Sequence, residues 1–350
     1  MALIALITDT HYGARGDQVA FFQHMLWFWQ HVFFPSLDKY GVNQIFHLGD
    51  LVDRRKYINF NTLNRLKKDF LDELVERDLK MTIIAGNHDC YHKNTTSLNA
   101  ISSIIEPYQK NINAHYGPSL IQIGSRPVAM VPWITMESRE ETNQLLERAP
   151  ENSIVFGHLE LAGFSMNPGT VSDFGDPMSD FKKFDAVYTG HFHTKSDKDN
   201  IHYLGAPFQF NWGDYGDLRG FHILDTETLE LTFIENPYSM FCRVIYDEDD
   251  AEGNQMALHS EMLERYVKVI VRNKTRQAEF EAFLQAIDAK MPLDLKVVET
   301  VQLSVDKDTF SGEETTSEII RKYVQHIETP NQDKLESKIL SLYERASVSE

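Results

Sequence analysis

Residues 83–89 read Ile83-Ile84-Ala85-Gly86-Asn87-His88-Asp89, and the fold is decided by how this stretch is read. Two β-branched apolar residues running into a glycine spell a short buried strand and the start of the loop at its carboxyl end. An amide, an imidazole and a carboxylate follow in direct succession. Such side chains make poor core, and they suit a site that grips a metal ion or a phosphate. A Gly-Asn turn followed by two solvated residues is the plainer reading. It weakens because four other expected strands also run into His or Asp.

Those strands are found by working outward. Ala2 to Thr8 runs into Asp9-Thr10-His11, and Gln44 to Leu48 runs into Gly49-Asp50-Leu51-Val52-Asp53. Ser153 to Phe156 stops at Gly157-His158, and Asp185 to Thr189 stops at Gly190-His191-Phe192-His193. Functional groups of open α/β sheets gather at the carboxyl ends of strands. The collected set is Asp9, His11, Asp50, Asn87, His88, His158, His191 and His193. It holds carboxylates, imidazoles and one amide but no thiolate. That mixture suits octahedral manganese, iron or a mixed first-row pair better than structural zinc. Alternate residues such as Asp9 and His11, or His191 and His193, reach one ion from an extended segment. A pair of ions needs a shared carboxylate, for which Asp50 is the candidate, and leaves one imidazole free. Ion pairs of this kind clamp an in-line displacement at phosphorus.

Between these stations the pattern is helical early and strand-rich later. Helices are expected from about Asp17 to Leu37, over Thr62 to Arg77 and over Thr96 to Tyr108. Further strands fit Pro127 to Trp133, Ile201 to Leu204, Gly220 to Asp225 and Glu230 to Glu235. The result is an α/β layered domain ending near residue 240. The acidic run Tyr246 to Gly253 reads as a linker or exposed loop. Beyond it, Tyr266 to Val271, Arg276 to Met291 and Leu295 to Leu303 read as strand, helix and strand, a small α+β unit. Two helices close the chain, Thr315 to Glu328 and Gln332 to Ala346, broken at Thr329-Pro330. The second carries Leu335, Ile339, Leu342 and Tyr343 on one face, a stripe that suits either its own domain or a partner.

Composition narrows the classes. The chain has 350 residues and a net charge of −18, against the basic footprint usual for nucleic-acid binders. Basic clusters nevertheless occur at Arg54-Arg55-Lys56, Arg65 with Lys67-Lys68, and Lys182-Lys183. Two distant cysteines, Cys90 and Cys242, point to a reducing, cytoplasmic setting and no disulfide framework. The aromatic stretch Phe21 to Phe34 is cut by Gln23, His24, Gln30 and His31. It is too short and too polar to span a bilayer, so no membrane association is expected.

The five motifs DxH, GDxxD, GNHD, GH and GHxH, in this order, resemble those of the calcineurin-like metallophosphoesterases. Within that superfamily the chain resembles the SbcD-type double-strand-break repair nucleases, and more closely the nuclease subunits of T-even-type phage recombination endonucleases. Gly157 to Phe164, Gly190 to Thr194, Tyr203 to Pro207, Trp212-Gly213-Asp214 and Arg219-Gly220-Phe221 carry the finer match. The resemblance implies a four-layer α-β-β-α sandwich with a small α+β capping domain and a helical tail. Its boundaries would be a nuclease domain at 1–240, a DNA-binding cap at 241–306 and an ATPase-binding tail at 307–350. It implies two divalent ions, manganese first and magnesium second. Asp9, His11, Asp50 and His193 would hold one, and Asp50, Asn87, His158 and His191 the other. His88 would face the scissile phosphate as a catalytic residue, with Asp89 orienting it. Asp53 and Arg54 resemble the phosphatase form of the second motif, where many cellular relatives carry a histidine. The implied function is a 3′→5′ exonuclease and single-strand endonuclease in DNA recombination and repair. It would work with an SMC-like coiled-coil ATPase, as a homodimer whose surface Leu63, Leu66, Ile101 and Ile104 could supply, in the host cytoplasm for a phage-encoded chain. The alternatives are a phosphomonoesterase or cyclic-nucleotide phosphodiesterase on the same site, and a non-catalytic scaffold.

Overall fold

Alternating strands and helices in the first 115 residues build a parallel sheet, because parallel strands need a crossover between them. In the computed structural model, Leu3–Ile7, Gln44–His47, Lys80–Ile84 and Ile112–His115 lie side by side and parallel. Gly220–Asp225 and Leu231–Glu235 extend the same sheet antiparallel beyond Leu3–Ile7. A second six-stranded sheet has Ile201–Tyr203, Ala186–Gly190, Ile154–His158 and Arg126–Val131 parallel at its centre. The structure describes residues 3–167 and 170–299, together with 321, 324, 332 and 334–340.

Three apolar layers follow. Ile4, Leu6, Phe46 and Ile84 of the first sheet meet Val128, Met130, Phe156 and Tyr188 of the second, so the sheets pack face to face. The outer face of the first sheet is covered by the aromatic helix and its neighbours, and that of the second by Arg139–Arg148 and adjoining loops. This is the expected α-β-β-α sandwich.

The aromatic helix runs from Val19 to Tyr40, with a wide π turn over Trp29–Phe33. The next helix, Phe60 to Glu76, has a matching π turn over Lys67–Leu71. Trp29 and Phe70 stack between the two turns at 4.5 Å, and Trp29 Nε1 donates to Tyr12 Oη at 2.7 Å. Each extra residue re-aims a ring that regular α geometry would point elsewhere.

Three expectations change. The helix foreseen over Thr96 to Tyr108 shrinks to Ala100–Ile104 and a single 3₁₀ turn at Glu106–Tyr108. Asn99 caps it, accepting from Ser102 N at 2.8 Å, and Pro107 disfavours α backbone at Glu106. Leu66, Ile101 and Ile104 are core residues and Leu63 is half-buried, so these four do not form a free dimer face. The acidic run at 246–253 is no linker. It ends the strand Phe241–Asp247 and begins the helix Ala251–His259, whose Asp250 accepts from Gly253 N at 2.8 Å. Glu248 accepts from Arg276 N at 2.8 Å and from Thr275, tying this corner to the next helix.

The strands Phe241–Asp247, Tyr266–Asn273 and Asp294–Glu299 form a parallel three-stranded sheet. Their crossover helices lie on one face, over Val244, Tyr246, Val267, Val269 and Val271. The opposite face carries Arg243, Lys268 and Lys296 in direct cross-strand register. Residues 300–303 of the expected last strand, most of 315–328, and Leu342 and Tyr343 lie outside the described residues. Residues 334–340 are helical, with Leu335 and Ile339 half-buried.

Candidate metal centre

All five motifs converge where the carboxyl ends of the central strands of both sheets meet. The first sheet brings Asp9, His11, Asp50 and Asn87, and the second brings His158, His191 and His193. The turns that do this are unusual. Asp9 (φ 52°), His11 (φ 46°), Asp50 (φ 55°) and His191 (φ 89°) all have left-handed backbones. Such strain in non-glycine residues concentrates at functional sites. Gly86 is required by proximity: a Cβ there would lie 2.9 Å from Asp50 Cγ and nearer still to its amide nitrogen and Oδ1.

The donors gather around the carboxylates of Asp9 and Asp50. His11 Nε2 lies 3.0 Å from His193 Nε2, 3.7 Å from Asp9 Oδ1 and 3.7 Å from Asp50 Oδ2. His158 Nε2 lies 3.4 Å from Asp50 Oδ2 and 3.0 Å from Asn87 Oδ1, which is also 3.0 Å from His191 Nδ1. Asp9, His11 and His193 form one ligand-sized group and Asp9, Asp50 and His158 another. His158 Nδ1 donates to Leu48 O at 2.7 Å, which turns Nε2 toward Asp50 and Asn87.

The charges ask for cations. Burial opposes ionisation of Asp9, yet its bond to His11 and the nearby His158 and His193 hold its carboxyl below the usual range. Asp50 is likewise held well down against burial, by His158, His11 and His88. Burial works against protonating His158, but Asp50 and Asp9 push it up to about 9. His191 and His193 are pushed down to about 3 and about 4, first by burial and then by neighbouring imidazoles. The protons on His11 and His158 thus balance two buried carboxylates, a task two divalent ions would also perform. The facing Nε2 atoms of His11 and His193, with carboxylates beside them, fit that donor chemistry.

His88 falls in neither of these two groups but in a third, with His11 and Asp53. Its amide donates to Asp50 Oδ1 at 2.7 Å, and its Nδ1 donates to Asp53 O at 2.6 Å. The ring stands edge-on to His11 at 4.8 Å, so Nε2 is the atom left to act. Asp89 does not orient it. Fully buried, Asp89 accepts from the amides of Asp50 (2.8 Å), Gly86 (2.9 Å) and Val52 (3.2 Å), binding two ligand loops together. Burial and Asp50 push its carboxyl up to about 7 despite those bonds. Asp53 Oδ1 lies 3.6 Å from His11 Nδ1, while Arg54 pairs with Asp17 at 2.6 Å, away from the donors. The Cys90 thiol donates to Gly86 O, and burial pushes it up to about 12, which leaves it unreactive.

Several supporting residues were not foreseen. Thr8 Oγ1 donates to Asp9 Oδ2 at 2.7 Å, and Thr10 Oγ1 meets His47 Nε2 at 3.0 Å beneath the first loop. The Phe210 ring packs on His11 and His193, and the Trp133 ring on His191. Arg219 donates to His193 O and pairs with the buried Asp214 at 2.9 Å. Asp214 and Arg219 stand in stretches that the sequence had singled out; nothing marked Thr8, His47 or Trp133.

Residues 2–195 match the family model described as calcineurin-like phosphoesterase. Exonuclease subunit 1 of Enterobacteria phage T4 is 29% identical over 295 residues, covering 83% of this chain and 82% of that one. Solved structures that align include an archaeal phosphodiesterase, 14% identical over 67% of this chain and 99% of that one, with a TM-score of 0.33. Another is the calcineurin-like phosphoesterase YfkN from Bacillus subtilis, 14% identical over 63% of this chain and 84% of that one, with a TM-score of 0.34. Among the described residues, no helix is long and apolar enough to cross a membrane.

Proposed function

Since the chain belongs to the calcineurin-like phosphoesterase family, we propose that it is a two-metal DNA nuclease, the nuclease subunit of a recombination and repair complex. Asp9, His11, Asp50 and His193 would hold one ion, and Asp50, Asn87, His158 and His191 the other. The all-oxygen-and-imidazole set favours manganese, with magnesium second. When bound, such a pair stabilises the charge that develops on the phosphoryl oxygens during an in-line displacement. The chain's own part is positional. Leu48 O and Asn87 fix the His158 ring, Arg219 holds the His193 backbone, and Asp89 locks the Asp50 and Gly86 loops. His88, held through Nδ1 by Asp53 O, presents Nε2 to protonate the leaving oxygen.

One observation supports a long polyanion over a small ester. Cations placed directly opposite one another across strands repel. Yet Arg243, Lys268 and Lys296 stand in one row, in a chain of net charge −18. Burial, Lys296 and Arg243 together push Lys268 below its ordinary pKa. The row joins the metal centre through a short aromatic path. Phe210 touches His11 and His193, Trp212 lies under Lys268 at 3.9 Å, and Tyr215 under Arg243 at 4.9 Å. A strand whose phosphate sits at the metals can run along this path onto the α+β unit, which is the role proposed for a cap over residues 241–306.

The exonuclease polarity, the single-strand endonuclease activity, the SMC-like ATPase bound through residues 307–350 and the host-cytoplasmic location belong to the same proposal. A homodimer would use the exposed Tyr57, Phe60, Tyr91 and Leu98 around a groove of about 270 Å³. The function is tested with linear duplex and single-stranded circular DNA beside a chromogenic phosphodiester, all with manganese. Lys296→Glu and Lys268→Gln should weaken DNA binding and lower its salt slope by about 0.9 for each phosphate left unneutralised. Cleavage of the small ester should not change. Equal loss on both substrates, or no loss on DNA, refutes the polyanion reading.

A further inference from the structure

Just beyond the carboxyl ends of Arg126–Val131 and Ile154–His158 lies a cavity of about 180 Å³, lined by Trp133, Ile134, Arg139, His158, Glu160 and Asp176. His158 is common to this cavity and to the metal centre, and the Trp133 indole packs on His191 at 5.0 Å. The Trp133 amide donates to Ala85 O at 2.8 Å, which fixes the residue beside the Gly86-Asn87 turn. Its side chain is half-buried, and the only other ring against it among the described residues is His158, edge-on at 6.2 Å. The indole thus presents surface to the cavity. Arg139 and Asp176 pair with each other, so neither charge is free. Glu160 differs: among the described residues its carboxylate enters no hydrogen bond and no ion pair. Its backbone is nonetheless fixed. Glu160 O accepts from Asp176 N at 2.8 Å, and Gly175, with φ 125°, passes so close that a Cβ there would overlap that carbonyl. An indole beside a lone carboxylate suits a flat ring with N–H donors along its edge, which describes a nucleobase. The volume is below the roughly 300–1,000 Å³ of drug-sized sites and fits one such ring system.

We propose that this cavity is a base subsite: it takes the base of the nucleotide whose phosphate sits at the metals, stacked on Trp133 and donating from its Watson–Crick edge to Glu160. The proposal rests on the nuclease reading above and deepens it. The path to the basic row leaves from His11 and His193, whereas this cavity adjoins His158 and His191. The two sides of the scissile phosphate are therefore held differently, one through the phosphate backbone and the other through a base. Guanine offers a carboxylate two adjacent donors, N1–H and the 2-amino group. Thymine offers only N3–H, between two carbonyl oxygens that a carboxylate repels. Guanine should be preferred and thymine bound least.

Calorimetric titration of the manganese-loaded full chain with deoxyguanosine 5′-monophosphate, thymidine 5′-monophosphate and deoxyribose 5-phosphate tests this apart from turnover. The guanine nucleotide should bind about tenfold or more tighter than the baseless sugar phosphate, the scale of one base stacked on an aromatic ring. Trp133→Ala should erase most of that gap while leaving affinity for the sugar phosphate unchanged, which shows the metals still in place. Trp133→Phe, which keeps a ring on His191, should restore much of the gap. Glu160→Gln should narrow the preference for guanine over thymine several-fold. Equal affinity for the nucleotides and the sugar phosphate overturns the proposal. So does a gap that Trp133→Ala and Glu160→Gln leave intact. Failure to cleave DNA with the gap present would instead overturn the nuclease reading and leave the subsite standing.

Discussion

Gly86→Ala adds one methyl group and should remove most of the activity. Gly86 does not have a positive φ, so alanine meets no backbone strain there; the objection is space. Its Cβ would stand 2.9 Å from Asp50 Cγ and closer to the Asp50 amide and Oδ1. Carbon contacts settle at about 3.5–4.0 Å, so Asp50 or the Gly86 loop must retreat by roughly 1 Å. Neither moves freely, because Asp89 holds both amides. Overpacking of this kind costs about 1–3 kcal/mol in stability. Misplacing by about 1 Å the carboxylate proposed to bridge the two ions costs about 10²-fold or more in turnover. The assay is turnover on linear duplex with manganese, alongside bound-metal stoichiometry and Tm. Gly117→Ala is the control, since its Cβ would meet nothing nearer than Glu141 Oε2 at 4.0 Å. Normal turnover and two bound ions in Gly86→Ala would refute both the close approach and the shared role of Asp50.

His88→Ala should retain both metals and bind DNA, yet cleave about 10²–10⁴-fold more slowly. Loss of a metal from that variant, seen by anomalous scattering, would make His88 a ligand. His222 is buried with neither ring nitrogen bonded, and burial followed by the Lys195 charge pushes it down to about 3. Between its ordinary 6.5 and about 3 the unfolded chain takes up a proton that the folded chain refuses, so stability falls as pH falls through this window. His222→Leu should flatten the decline in Tm from about pH 7 to about pH 4, where this one group removes about 1.4 kcal/mol for each pH unit crossed; an unchanged slope means that other groups set it. Truncation after Thr329 should leave a folded, manganese-dependent nuclease that no longer captures its ATPase. A collapsed Tm would mean that Leu335 and Ile339 are simply core.

The clustered carboxylates and imidazoles were legible because each sits at a strand end, and strand ends show as apolar runs stopped by glycine and a polar residue. Gln44–His47 and Ala186–Gly190 are read this way almost to the residue. What escaped depends on neighbours distant in the chain. The resemblance implied that Asp89 orients His88, but its turn aims it at the Asp50 loop instead. The basic row needs the register of strands that begin at Phe241, Tyr266 and Asp294, and the first of these was not foreseen. Both π turns insert one residue into a pattern that otherwise reads as plain helix, so periodicity cannot reveal them. The acidic run at 246–253 looked like solvent-exposed loop by composition, yet its carboxylates cap and tie backbone amides.

His11 and His193 meet across 182 residues, and the donors come from both sheets. During synthesis the site therefore cannot assemble until His193 has cleared the ribosome and the second sheet has closed over the first. A nascent chain is thus spared a prematurely formed phosphoesterase site, since its early carboxylates and imidazoles lack their counterparts. Once the site is closed, ions held by residues of both sheets would act as a chelate clasp between the halves of the sandwich. Amide exchange at the inter-sheet layer of Phe46 and Phe156 should then slow on metal loading more than exchange in the outer helices.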